Sequence, residues 1–217
     1  MASTIKTCNQ AGVLLRSMDV SALTSRPTSI AVIGNRYWVT DKEFGRILCL
    51  TKNAVLVRAL DISAFETEPS GVCFDGLNLI VVGRQNNKLY VVNRNGALIR
   101  SIDISAITTT PRGVAIEGIK YYIVDDQNNR IVKINRDGAL VRAIDVSAMD
   151  TTPSGIGFDG INLLMGGAQN SKIYRVSVSG AKLNTLNITM SDTSIGGIAF
   201  DGKNIIYTDY TESGPPE

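Results

Sequence analysis

Apolar and polar residues along this chain alternate in short runs, and no window of a dozen residues repeats its apolar positions at helical spacing. Residues 96–137 show the pattern. Ala97–Ile102 alternates as a half-buried strand, and Asp103-Ile104-Ser105 leads into the polar stretch Thr108-Thr109-Thr110-Pro111. Gly113-Val114-Ala115-Ile116 reads as a short strand of small and β-branched residues, closed by the turn signal Glu117-Gly118. Lys120–Val124 and Arg130–Ile134 are two further strands around the loop Asp126–Asn129, and Asn135–Gly138 turns into the next segment. The pattern predicts four short antiparallel strands and no helix.

This unit recurs every 42 residues. Gly12, Ala54, Gly96, Gly138 and Gly180 share one place in it, and Pro27, Pro69, Pro111, Pro153 and Ile195 share another. Four-stranded units of this length are blades of a β-propeller. Five copies predict a five-bladed, all-β ring with blades near 27–60, 69–102, 111–144 and 153–187. The fifth is spliced from 196–217 and 1–18, because the last copy stops after two strands and the N-terminus supplies the other two. The innermost strand of each blade carries a small residue (Ala31, Cys73, Ala115, Gly157, Ala199), as crowding at an axis requires. Arg16, Arg58, Arg100 and Arg142 on the outermost strand read as a solvated edge.

The segment Val124-Asp125-Asp126-Gln127-Asn128-Asn129-Arg130-Ile131 resembles the core of an NHL repeat. Gly197-Ile198-Ala199-Phe200-Asp201-Gly202-Lys203-Asn204 is similar to repeats of YVTN-type and streptogramin-lyase-like propellers. The resemblance covers all the blades and implies the propeller fold. Such propellers bind proteins, RNA or small ligands, and a few are enzymes. The lyases rely on histidine and this chain has none, so their activity does not carry over. They usually have six or seven blades, so five implies a narrower channel.

The 217 residues are 44% apolar and 19% charged, enough for one large domain with a core of its own. A net charge of +2 without long like-charge runs gives no reason to expect nucleic acid, and no apolar run is long enough for a membrane span. Residues 1–11 lack a signal peptide's pattern, so a cytoplasmic location is expected as the chain stands, or secretion if a leader is removed. Cys8, Cys49 and Cys73 fall at unrelated places in the repeat and are expected to be free thiols.

Departures from the repeat are where function is sought. Arg112 stands where Thr28, Ser70, Ser154 and Gly196 stand, so a lone guanidinium is expected among hydroxyls near the axis. The loops after the second strands vary most, with Arg84, Asp126 and Tyr210 among them, on the face that also carries Glu66, Glu68 and Asp150. Asp19, Asp61, Asp103 and Asp145 each precede a serine by two residues and are expected to cap loops. Asp41, Asp125 and Asp209 alternate with Gly83 and Gly167 and are expected to hold hairpins, too far apart to ligate one metal ion. Arg112, Thr28, Ser70, Ser154, Arg84, Asp126 and Tyr210 are therefore the candidate ligand residues. The leading expectation is a monomeric, non-enzymatic binding scaffold without cofactor or metal, taking a protein, a peptide or a small anionic or carbohydrate ligand. Two alternatives stay open: a symmetric propeller built or reconstructed without a selected function, and a lyase or hydrolase acting through aspartate alone.

Overall fold

The computed structural model describes residues 3–168, 170–188 and 195–210. They form strands and connections with no helix, in five sheets of four antiparallel strands. The first blade comprises β3 (Pro27–Ile33), β4 (Arg36–Asp41), β5 (Arg46–Thr51) and β6 (Leu56–Asp61). The second comprises β7 (Pro69–Phe74), β8 (Leu79–Gly83), β9 (Lys88–Val92) and β10 (Leu98–Asp103). The third runs through β11 (Pro111–Glu117), β12 (Lys120–Asp125), β13 (Arg130–Ile134) and β14 (Leu140–Asp145). In the fourth are β15 (Pro153–Phe158), β16 (Leu163–Gly167), β17 (Lys172–Val176) and β18 (Lys182–Asn187). The fifth joins the two ends of the chain. Its order is β19 (Ile195–Phe200), β20 (Ile205–Tyr210), β1 (Ser3–Cys8) and β2 (Leu14–Asp19).

The second and third strands of each blade read as nearly continuous apolar runs because both faces of each sheet are covered by a neighbouring blade. One face of the first blade contributes Trp38, Ile47 and Cys49 to a cluster completed by Val72, Val81 and Tyr90 of the second. Its other face sends Tyr37, Val39 and Leu48 to meet Ile5, Met18 and Ile206 of the fifth. The remaining seams repeat the scheme, including Ile173 and Leu186 against Ile205 and Tyr207. Residue alternation at period two therefore becomes alternation between seams. The ring closes because all five seams are filled.

The inner strands touch one another closely. A methyl group on Gly155 would lie 2.2 Å from the Gly196 carbonyl oxygen, and one on Gly197 would lie 2.3 Å from Ser29 Cα. The tightest approach is thus at the glycine that opens the Gly-Val-Ala-Ile type strand, as well as at the small residue expected from the sequence.

At the rim, the arginines of the outermost strands do more than blunt an edge. Arg16 donates to the Lys52 carbonyl (2.9 Å) and Arg100 to the Arg136 carbonyl (2.8 Å), so each guanidinium reaches the outer turn of the following blade. Cys8 and Cys49 are buried and Cys73 is half-buried, all as free thiols.

Candidate functional site

The connections leaving the second strand of each blade, and those entering the next inner strand, lie at one end of the axis. They are tied together by a recurring backbone bond. Lys42 N donates to the Arg26 carbonyl (3.2 Å), Arg84 N to Glu68 (3.1 Å), Asp126 N to Thr110 (3.4 Å) and Ala168 N to Thr152 (3.1 Å). Beneath these bonds every blade buries a carboxylate, but from different positions. In the first and third blades it belongs to the second strand. Asp41 accepts from Thr24 Oγ1 (2.9 Å) and Arg46 Nε (2.8 Å), and Asp125 accepts from Arg130 Nε (2.8 Å) and Asn128 (2.9 Å). In the second and fourth blades that strand position is Gly83 or Gly167, and the carboxylate arrives from the preceding loop. Glu66 and Asp150 fill the glycine's place so fully that an added methyl would sit 1.7 Å from Glu66 Oε2 or 2.0 Å from Asp150 Oδ2. Tyr90 OH and Tyr174 OH donate to them at 3.2 and 3.3 Å. In the fifth blade Asp209 pairs with Lys6 at 2.6 Å.

This arrangement corrects one expectation: Glu66 and Asp150 do not lie on the exposed loop face, because they are buried inside their blades. Asp41 and Asp125 hold their hairpins as expected, each through the arginine that opens the next strand, whereas Asp209 pairs with Lys6 of β1 where the two ends of the chain meet. The serine-associated aspartates cap loops. Asp103 Oδ1, for one, accepts Ser105 N at 2.9 Å, and the Ser105 hydroxyl and amide hold its carboxyl below the usual range. Among the described residues, no group of three or more His, Cys, Asp or Glu side chains is arranged to hold a metal ion.

Above the buried acids the axis opens into a mouth lined by Arg26, Thr28, Lys42, Ser70, Arg84, Arg112, Gly196 and Tyr210. The enclosed volume is about 30 Å³, room for one or two waters or one small group of a larger ligand. Four cations thus converge there, all from the first three blades. Among the described residues, the fourth and fifth blades add no charge to this lining, and two acids accompany the cations. Lys42 Nζ lies 2.9 Å from Glu68, Arg112 Nε bonds to Asp126 Oδ2, and Arg84 Nη2 lies 3.6 Å from the same oxygen. Burial by itself would raise the Asp126 carboxyl. Bonds from Thr110 and Arg112, with the charges of Arg112 and Arg84, outweigh it and hold the group below the ordinary carboxylate range. The other oxygen, Asp126 Oδ1, is buried without a donor.

Of the sequence-predicted residues, the structure gathers Arg112, Arg84, Thr28, Ser70 and Tyr210 at the mouth, with Asp126 bridging the two arginines. The hydroxyls behave differently from expectation. Thr28 Oγ1 donates to the Pro69 carbonyl (2.7 Å) and Ser70 Oγ to the Pro111 carbonyl (2.8 Å), so their protons stitch adjacent inner strands together. Ser154 does not line the mouth; it is buried and donates to the Gly166 carbonyl at 3.2 Å. Gln169 and the loop residues Thr211 and Glu212 lie outside the described residues. The sequence reading missed Arg26 and Lys42 as partners of Arg112. The signal was present, since Arg26 aligns with Glu68, Thr110 and Thr152, and Lys42 with Arg84, Asp126, Ala168 and Tyr210.

No family model and no curated protein matches the chain. Solved structures do. A catalytically inactive virginiamycin B lyase from Staphylococcus aureus, solved with quinupristin, is 16% identical with a TM-score of 0.58, over 94% of this chain and 70% of that one. A glutaminyl cyclase from Myxococcus xanthus is 12% identical with a TM-score of 0.67, over 87% and 94%. A chain of the nidogen/laminin complex is 14% identical with a TM-score of 0.63, over 85% and 72%. At such identities the likeness is one of fold, and the fold they share with this chain is the β-propeller.

Proposed function

We propose that this chain is a non-enzymatic binding scaffold, acting as a monomer, whose ligand docks on the loop face at the mouth of the axis. The observation that carries this reading is the convergence of Arg26, Lys42, Arg84 and Arg112 on one small opening. A guanidinium binds carboxylate, phosphate or sulfate through two parallel hydrogen bonds. Asp126 Oδ1 asks in addition for an O–H or N–H donor. A small acidic carbohydrate or hydroxy acid offers both, and so does the carboxylate end of a peptide. The mouth admits one such group, leaving the rest of the ligand on the surrounding loops. An enzymatic reading has less support, since the chain contains no histidine and each buried carboxylate described above is engaged by a structural partner.

Replacing Arg112 by serine, the residue of the second and fourth blades, tests this. Stability is expected to fall by no more than about 1 kcal/mol, since the Arg112 and Asp126 side chains are 29% and 14% exposed and Arg84 remains beside the carboxylate. Affinity for galacturonate or benzoate is expected to fall about tenfold, the loss of roughly 1.4 kcal/mol. Identical titration curves for both proteins would reduce Arg112 to a surface charge pair.

A further inference from the structure

We propose that the opposite end of the axis is a second ligand site, for a small uncharged aromatic ring bearing one N–H or O–H group. Each inner strand runs away from the loop mouth and carries a half-buried apolar residue at or next to its far end: Val32, Phe74, Ile116, Phe158 or Phe200. With the small residues behind them they line an open well of about 160 Å³. An enclosed apolar cavity of roughly 150 Å³ takes up benzene, so an open well of this size has room for one ring. Three phenylalanines around the well can meet a ring edge-to-face, the arrangement aromatic pairs prefer.

The lining sets the ligand's charge. Among the described residues, no ionisable side chain other than Cys73 lines the well, and burial pushes the Cys73 thiol above its ordinary range, leaving it neutral. A charged ligand would lose its hydration with no charged side chain in the lining to replace it. A pure hydrocarbon is a poorer fit for a different reason. Every inner strand has a sheet neighbour on one side only, so the N–H and C=O groups of its other edge are turned toward the axis. A ring with one hydrogen-bonding group covers the apolar wall and answers an edge carbonyl or amide. The turns around the well mix exposed apolar residues with the carboxylates of Asp75, Glu117 and Asp159. Leu77, Ile119 and Ile161, in the turns beside Phe74, Ile116 and Phe158, are 73%, 61% and 75% exposed.

Phenol and its charged counterpart benzoate separate this site from the loop-face site, followed by backbone amide resonances of the full chain. Phenol is expected to shift, saturably, amides at the ends of β3, β7, β11, β15 and β19. Val32→Phe and Ile116→Phe each install the side chain already present in three other blades, and each narrows the well. Either is expected to weaken phenol at least about tenfold while leaving benzoate unchanged. Arg112→Ser is expected to do the reverse. Absent or loop-face phenol shifts in the wild-type protein would overturn the proposal. So would unchanged phenol affinity in a folded Val32→Phe or Ile116→Phe protein, or benzoate shifts in the well. The wild-type measurement decides alone should both variants unfold.

Discussion

At the scale of single residues, the repeat turns the chain into its own control experiment, because each position is sampled up to five times. Ala54 is the plainest case. Its equivalents Gly12, Gly96, Gly138 and Gly180 take φ of +86°, +93°, +89° and +101°, and Ala54 is held at φ +60° in the same turn. That left-handed conformation costs a residue with a Cβ about 1–2 kcal/mol. Ala54→Gly relieves this cost and gives back part of it as added freedom in the unfolded chain. A net gain of about 0.5–1 kcal/mol is expected, read as a rise in thermal midpoint; an unchanged or lower midpoint would show that the turn accommodates alanine without strain. Alignment made this position legible, and it made Arg112 legible in the same way. What alignment hid is where side chains spend their hydrogen bonds. Thr28, Ser70 and Ser154 look like open hydroxyls in the sequence, yet their protons go to the Pro69, Pro111 and Gly166 carbonyls. That choice depends on how closely the inner strands approach, a distance fixed by packing around the whole ring.

Within a blade, the buried carboxylate shows two sequence solutions to one requirement. Loop and strand positions exchange it: Thr24 with Asp41 and Thr108 with Asp125 in one solution, Glu66 with Gly83 and Asp150 with Gly167 in the other. The alternation of Asp and Gly was visible in the sequence. Its compensation by Glu66 and Asp150 was not, because these residues sit in a loop that reads as exposed and lie 17 positions from the glycines they fill. The pair makes a firm prediction. Gly83→Asp alone forces a second carboxylate against Glu66 in a dry site, and is expected to cost more than about 3 kcal/mol or to prevent folding. Adding Glu66→Thr restores the Thr–Asp pair of the first and third blades, with Lys88 standing in for their Arg46 and Arg130, and is expected to recover at least half of that loss. A double-mutant cycle in chemical denaturation measures the coupling. Additive costs would show that the two positions are independent and that the glycine has another purpose.

For the molecule as a whole, the strand pattern, the blade count and the splice of the two termini were all legible, since period-two alternation and a fixed repeat are local signals. The two ends of the axis were not. The mouth cations come from loops of three blades and the well from the last residues of five strands, and only ring closure brings either set together. Closure therefore underlies both proposed sites, and it rests on the N-terminus. β1 pairs with β20 over six residues, from Ser3↔Tyr210 to Cys8↔Ile205, and with β2 on its other side. Its Ile5 and Cys8 fill the seams on either side of the fifth blade, and Lys6 carries the charge that faces Asp209. Removing residues 1–18 takes away half a blade, opens the apolar faces of the first and fourth blades, and leaves β20 with an unpaired edge. It also leaves the Asp209 carboxylate buried without this lysine, a loss worth about 3–5 kcal/mol by itself. Domains of this size are only about 5–15 kcal/mol stable, so the truncated chain is expected not to fold. Circular dichroism and a thermal scan decide the matter: a cooperative transition at the full-length midpoint would mean that four blades and a half stand without closing the ring.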